Sequence, residues 1–301
     1  MASPHDRDVA ERRDALFRES ARDRLERWAL GTAWALHPSR IGNLPALARL
    51  WTADLVRPSR DLPDPERTLN RAGLLGMVHG LSAPTLVDAY RQGMFTHAHF
   101  GPLKWYSPDE RCVLFFDELH IARSLRRLMR KSRYTVSFDR DFEQVIKACA
   151  GRREGKWHVT WITPRIMRAY ADMFDAGHVH SFEVWNESGA LVGGGYGVAI
   201  GRAFFTESQF SLEANTSKLG FTVLNWHLAK WGYALNDGKW MTPTIREMGF
   251  RMIARGEFRR RLAAAAHGGG KAGRWRTEAD SGTVAEWQPG DGVPAAKSWA
   301  A

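Results

Sequence analysis

Cysteine is scarce: Cys112 and Cys149 are the only two in 301 residues. Neither sits in a CxxC, which excludes a disulfide framework and a zinc knuckle. Reduced thiols in a cytoplasmic setting are the expectation. Long hydrophobic runs are missing too. No stretch reaches the roughly 18 apolar residues of a membrane-spanning helix. The opening MASPHDRDVAERRD has no apolar leader core. A cytoplasmic protein with no membrane partner is therefore expected. Acidic residues are in deficit, 33 against 43 Lys and Arg, for a net charge of +10. That balance disfavours cationic partners and points to an anionic one, nucleic acid first.

Phosphate loops are absent as well. GGGYG at residues 193–197 fits neither GxxxxGK[ST] nor a strand-to-helix GxGxxG. It lies within a strand pattern, where glycine marks close approach by another backbone or by a ligand. Gly195 is thus a candidate for opening a pocket wall. Two HxH pairs occur, His97/His99 and His178/His180. At strand spacing each pair shares a face, but no cysteine or carboxylate stands beside them at metal-ligand spacing. A buried, hydrogen-bonded His180 at a strand start is the plainer reading, and no metal or cofactor is expected.

Tryptophan, by contrast, is plentiful, with 13 residues. Such rings fill cores, line clefts or anchor partners. Hydrophobic residues make up 44% and charged residues 25%, as in ordinary globular chains. The length suits one large domain or two modest ones.

The pattern along the chain predicts a charged amphipathic helix over residues 1–34 and a Pro-punctuated stretch over 37–65. Together, residues 1–70 read as a helical N-terminal extension. SAPTLVDAYRQG is a short helix, with Ser82 as N-cap, Pro84 in the first turn and Gly93 as the stop. Residues 113–138 read strand, helix, strand, and residues 141–150 and 163–179 give amphipathic helices. An antiparallel meander follows, HSFEVW, ALVGGGYGVAI and AFFTESQFS, with glycine-bearing turns. A long helix over 217–231 and the strand YALND close the pattern. From about residue 263 the composition is Gly/Ala/Pro-rich, and a disordered tail is expected. The order predicts an α/β (α+β) protein. Its mostly antiparallel central sheet resembles the N-acetyltransferase (GNAT) type, over residues 123–262. A small N-terminal subdomain over 71–122 precedes it.

Two features carry chemistry. Glu207 stands in the middle of an apolar strand, and Asp237 near the end of another. A buried carboxylate is costly unless paired. Two carboxylates at neighbouring strand ends can orient an amine and take its proton. The plain alternative is that Glu207 pairs with a structural arginine. The second feature is a basic helix. Arg123, Arg126, Arg127, Arg130 and Lys131, with Arg133 beyond, read either as a solvated face or as a phosphate-contacting ridge.

Several long blocks occur in order: GLLGMVHGLSAPTLVDAYRQGMF, KWYSPDERCVLFFDELHIARSLRR, TWITPRIMRAYADMFDAGHVHSFEVW, LVGGGYGV and TESQFS…NTSK. Over residues 72–262 they resemble the leucyl/phenylalanyl-tRNA–protein transferases. The resemblance implies transfer of an aminoacyl group from charged tRNA to the N-terminal Arg or Lys of an acceptor protein, marking it for N-end-rule degradation; a monomer is expected. The amine attacks an ester and the tRNA ribose leaves, so positioning and proton handling carry the rate. By resemblance, Glu207 binds amino groups near the reacting centre. Asp237 acts with a nearby glutamine to draw the proton, and Lys239 stands in that glutamine's place. Trp105 and Trp161 match cleft tryptophans, and Asn215 and Ser217 the polar start of the long helix. The basic helix would grip the tRNA acceptor stem.

The side-chain pocket departs from the family pattern at Gly195, Gln209, Leu224 and Asn236, where methionines, a phenylalanine and an isoleucine-like residue are usual. Gly195 is expected to enlarge the pocket, and Gln209 and Asn236 to add hydrogen-bonding groups, so that a larger or more polar side chain is transferred. Lys239 leaves open a tRNA- or peptide-binding protein without catalysis. An acyl-CoA-type donor is the other alternative, though no Q/R-x-x-G-x-G/A loop is present.

Overall fold

The computed structural model describes residues 4–38, 41–98, 101–131, 133–152 and 160–291. It divides into two units, residues 1–109 with 146–172, and residues 110–145 with 173–301.

The first unit begins with α1 (Pro4–Leu16), α2 (Ala21–Ala35) and α3 (Leu44–Val56). The single helix expected over 1–34 is in fact two. Phe17 is buried between them, and Ser20 caps α2 by accepting the Asp23 N–H at 3.1 Å. α3 occupies the stretch expected to be irregular, because Pro45 falls at its first turn, where proline is tolerated. Strands β1 (Leu74–Met77), β2 (Phe95–His97) and β3 (Lys104–Tyr106) form an antiparallel sheet in the order β1-β3-β2. Helix α4 (Ala83–Arg91) starts and stops where its sequence says: Ser82 accepts from the Thr85 N–H, and Gly93 adopts φ 79°. The hydroxyls of Tyr90 and Tyr170 meet at 2.6 Å in this unit's interior.

The second unit contains β4 (Glu110–Leu114), α5 (Arg123–Arg130), β5 (Thr135–Phe138), β6 (Val179–Trp185), β7 (Leu191–Ile200), β8 (Ala203–Ser211), α8 (Thr216–Lys230), β9 (Leu235–Lys239), α9 (Pro243–Glu247), β10 (Arg251–Ala254), α10 (Arg255–Ala266) and α11 (Ser281–Ala285). The helices α6 (Phe142–Ala150) and α7 (Pro164–Asp175) carry the chain across the unit boundary. Seven strands align as β10-β4-β9-β8-β7-β6-β5. Every pairing is antiparallel except β8 with β9. Parallel neighbours need a crossover, and α8 supplies it. This helix is apolar on most sides, and Leu219, Phe221, Val223, Leu224 and Leu228 are all buried with Phe182, Val184 and Phe204 of the sheet.

Three expectations change here. β4 is an interior strand of the large sheet, so the division falls after Asp109 rather than at residue 122. β10 was not foreseen; it is four residues long and only Ile253 in it is buried, too little for a strand signature. The expected tail is ordered through residue 291. Trp275 is completely buried, stacks on His180 at 3.7 Å and 5°, and meets Trp231 edge-on at 5.0 Å. Val284, Ala285 and Trp287 join the same core. A few large rings, each contributing about 1.5–3 kcal/mol when fully buried, outweigh a small-residue composition. Among the described residues no helix is long and apolar enough to cross a membrane.

Candidate active site

β7 and β8 pair regularly from Gly193↔Ser211 to Tyr196↔Ser208, then resume at Gly197↔Thr206. Glu207 is the extra residue of this bulge. A bulge leaves its residue out of the ladder and re-aims the side chain. The stretch Thr206–Gln209 is also the part of β8 that is only half-buried. A second irregularity lies across the sheet, where β4 pairs with β9 at Cys112↔Lys239 and then Val113↔Asp237, skipping Gly238. Lys239 takes a left-handed backbone, φ 62°.

These two irregularities bring Lys239 to Glu207. The ammonium Nζ donates to Glu207 Oε1 at 2.5 Å and to the Thr206 carbonyl at 2.7 Å. Both side chains are buried, with 8% and 1% of their surfaces exposed. Burial lowers the pKa of Lys239, against the upward pull of Glu207 and Asp237. Glu207 is therefore paired, as a buried carboxylate must be, but with a lysine rather than an arginine.

Asp237 has the arginine. Arg111 of β4 donates Nε to Oδ1 at 2.8 Å and Nη2 to Oδ2 at 2.7 Å, a two-pronged contact fully out of solvent. Oδ1 also accepts the backbone N–H of Lys239 at 2.8 Å. The guanidinium lies 4.5 Å over the ring of Phe258 in α10. Lys239, standing in the glutamine's place, thus meets Asp237 through its backbone N–H, while its side chain goes to Glu207. Arg111 escaped the sequence reading, because it stands beside the exposed Glu110 at the start of ERCVL and reads as part of a charged strand end.

The expected side-chain pocket fares differently. A Cβ on Gly195 would fall 2.7 Å from Phe182 Cε1 and 2.8 Å from Gln209 Cγ. The glycine admits these two side chains and leaves no enlarged pocket. Asn236 is completely buried; its Oδ1 accepts from Thr206 Oγ1 at 2.8 Å and its Nδ2 donates to Asn225 Oδ1 at 2.8 Å. Asn225 passes the chain on to the Phe221 carbonyl. The amide closes a polar seam between β8, β9 and α8 instead of facing a substrate. Leu224 packs in the core at 2% exposure. Asn215 occupies the N-cap of α8 at φ 64°, and the Ser217 N–H is capped by Ser211 Oγ at 3.0 Å. Both shape the helix start.

Trp105 and Trp161 belong to the first unit. Trp105 is buried in β3. Trp161 packs on His97 at 5.3 Å and on Tyr170 at 6.2 Å, edge-on. Nearby in sequence, Lys104 is buried and its pKa falls to about 8 by desolvation, its Nζ donating to the Pro102 carbonyl.

The basic helix α5 is only partly available. Arg126 donates to the carbonyls of Ala285 at 2.5 Å and Trp287 at 2.7 Å, and Arg130 to Glu286 at 2.6 Å. The C-terminal segment thus uses two residues of the expected ridge. Arg123, Arg127 and Lys131 are exposed along a surface cleft of about 520 Å³. His180 is held by Asp139 at 2.7 Å, as a structural histidine. His99 lies outside the described residues, and among the described residues no group of three potential ligands is placed to hold a metal.

Comparison with known proteins meets this geometry. The family model described as "Leucyl/phenylalanyl-tRNA protein transferase" matches residues 113–263, spanning β4 to α10. The leucyl/phenylalanyl-tRNA–protein transferase of Azotobacter vinelandii is 48% identical over 206 residues, covering 68% of this chain and 90% of that protein. Its counterpart in Pseudomonas syringae pv. syringae is 47% identical, covering 68% and 89%. A solved structure, L-PGS from Bacillus licheniformis, overlaps 50% of this chain at 13% identity with a TM-score of 0.30 and carries no weight. The matched stretch contains Arg111's partner Asp237, Glu207 and Lys239, and on this identity and coverage the chain belongs to the leucyl/phenylalanyl-tRNA protein transferase family.

Proposed function

We propose that this protein transfers an aminoacyl group from a charged tRNA to the N-terminal amine of an acceptor protein beginning with Arg or Lys. The reaction forms an amide bond and releases the 3′-hydroxyl of the tRNA. The observation that carries the reading is the charged cluster on the bulge of β8, inside the family-matched region: a carboxylate, Glu207, with a lysine, Lys239, and the clamped Asp237 alongside. Glu207 binds the incoming amine. Asp237, fixed by Arg111, accepts the backbone N–H of Lys239 and so holds the end of β9 beside Glu207. Arg123, Arg127 and Lys131 contact tRNA phosphates. The seven-stranded sheet with its α8 crossover is the acetyltransferase-type scaffold on which this chemistry runs. The setting is cytoplasmic, the enzyme a monomer, and the product a substrate for N-end-rule degradation.

The transferred residue is Leu or Phe. The grounds for a larger or more polar side chain were Gly195, Gln209 and Asn236; Asn236 bonds inside the protein, and the Gln209 stem packs over the space that Gly195 leaves. Incubating the purified protein with an Arg-initiated peptide and a full panel of charged tRNAs tests this by peptide mass. Addition of Leu or Phe is expected; addition of another residue would overturn the specificity.

A second reading is favoured by the occupancy of Glu207: a family member that binds tRNA or peptide without turnover. The same assay separates the two. Binding with no mass shift for any charged tRNA would select the second reading.

A further inference from the structure

The C-terminal segment is clasped to the basic helix α5. Ser281 Oγ donates to the Met129 carbonyl at 3.1 Å, in the last turn of the helix. Arg126, half-buried, donates to the carbonyls of Ala285 and Trp287. Val284, Ala285 and Trp287 lie in one core with Leu125 and Met129. The segment begins beyond residue 263, where the family-matched stretch ends.

Glu286 differs from the rest of this clasp. It meets Arg130 through two hydrogen bonds, Nε to Oε1 at 2.6 Å and Nη2 to Oε2 at 3.2 Å, with 51% of the arginine and 66% of the glutamate side chain exposed. An exposed pair of this kind contributes little to stability. Glu286 is also the C-cap of α11, the end of a helix that disfavours negative charge. Neither the pair nor the helix accounts for a carboxylate here. Its two oxygens face the guanidinium as those of a phosphate would, since both anions take the two-pronged contact. The hydrogen bond from Arg130 holds the Glu286 carboxyl below its usual range, so it is ionised at neutral pH. Arg130 lines the same cleft as Arg123, Arg127 and Lys131. One cation of that cleft is thereby neutralised from within the chain.

We propose that Glu286 is a built-in stand-in for phosphate that withholds Arg130 from tRNA, so that the C-terminal segment sets how tightly the protein grips its donor. The inference rests on the reading of α5 as a tRNA-contacting surface. A tRNA phosphate can displace the exposed carboxylate without disturbing the buried part of the clasp. The exchange costs the existing pair and leaves Glu286 beside a polyanion, and both effects weaken binding. A transferase must shed its spent tRNA after each turnover, and a moderated grip speeds that departure.

The test is the binding of deacylated leucine tRNA to the full-length protein, measured by filter binding across a series of KCl concentrations. Glu286→Gln should bind about 3-fold or more tightly at about 0.1 M salt, and its plot of log K against log salt should steepen by about 0.9, the signature of one more phosphate neutralised. Adding Arg130→Gln to Glu286→Gln should cancel both changes. Arg127→Gln in the native chain should weaken binding and make the slope shallower by a similar amount. Circular dichroism melts of each variant check folding. An unchanged Kd and slope for Glu286→Gln, with Arg127→Gln still weakening, would overturn the role of Glu286 and leave the tRNA surface standing. A gain that survives Arg130→Gln would overturn it too, since net charge and not Arg130 would then be its source. Binding indifferent to both Arg127→Gln and Glu286→Gln would overturn the reading of α5 itself, and this inference with it.

Discussion

Two buried ion pairs stand side by side in the second unit, and they are built differently. Arg111 and Asp237 meet through two parallel hydrogen bonds, at 1% and 0% exposure, with a third donor from Lys239 N–H and a ring beneath the guanidinium. Lys239 and Glu207 meet at a strand bulge, the ammonium donating also to the Thr206 carbonyl, with 8% and 1% of their side chains exposed. The first pair is two-pronged and fixed by the planar fork of a guanidinium. The second is held by a compact ammonium that can rotate among its acceptors. A fold can use the same pairing of charges once to lock two strands together and once to hold a carboxylate that a bulge has carried out of the ladder.

The largest effect should come from breaking the rigid pair. Arg111→Met leaves Asp237 buried without its counter-charge, and unfolding free energy should fall by about 3–5 kcal/mol in urea melts. Adding Asp237→Leu should recover most of that loss; a further fall in the double variant would mean that the pair does more than balance charge. Lys239→Met should cost less, about 1–2 kcal/mol in the same melts, because burial of the Lys239 ammonium offsets part of what its pair with Glu207 gains. Equal losses for the two single variants would erase the contrast.

Glu183 sharpens the comparison as a buried carboxylate with no ion pair among the described residues. Burial first, and Asp139 after it, raise its pKa to about 7, although Ser137 and Ser181 donate to it at 2.6 Å. A raised carboxylate favours the protonated fold. Its stability contribution is complete below about pH 4.5 and is lost as pH climbs toward 7. Glu183→Gln should flatten that slope, with a gain on the order of 1–3 kcal/mol at pH 8 relative to the native protein. An unchanged pH–stability curve would place the charge elsewhere. At the small end, Arg130→Ala removes an exposed pair with Glu286, and the melting midpoint should not move measurably.

Much of this could be read from the chain. The meander β6–β7–β8, the helix α8 and the capped helix α4 follow from alternation, periodicity and cap residues, which act within a few positions. Glu207 announced itself as a charge in an apolar strand. Its partner did not, because Lys239 lies 32 positions away and reaches Glu207 only after a bulge and a left-handed residue redirect the ends of two strands. Arg111 and Asp237 are 126 apart. Composition misled at the C-terminal segment, where Trp275 decides the outcome and the glycines around it do not. Gly195 and Asn236 misled in the opposite sense. What faces them is this protein's own Phe182, Gln209, Thr206 and Asn225, which no local pattern announces.

The bulge at Glu207 has a consequence for how this strand can change over time. Tyr196 and Gly197 alternate between faces, so their partners Ser208 and Thr206 already lie on opposite faces, and removing Glu207 between them would straighten the ladder without turning any side chain over. Phe204 would stay opposite Ala199 and Gln209 opposite Gly195. The sheet can absorb a single-codon deletion at this position, and what it would lose is the carboxylate. The length of this strand is therefore set by the residue carried out of the ladder rather than by the pairing on either side.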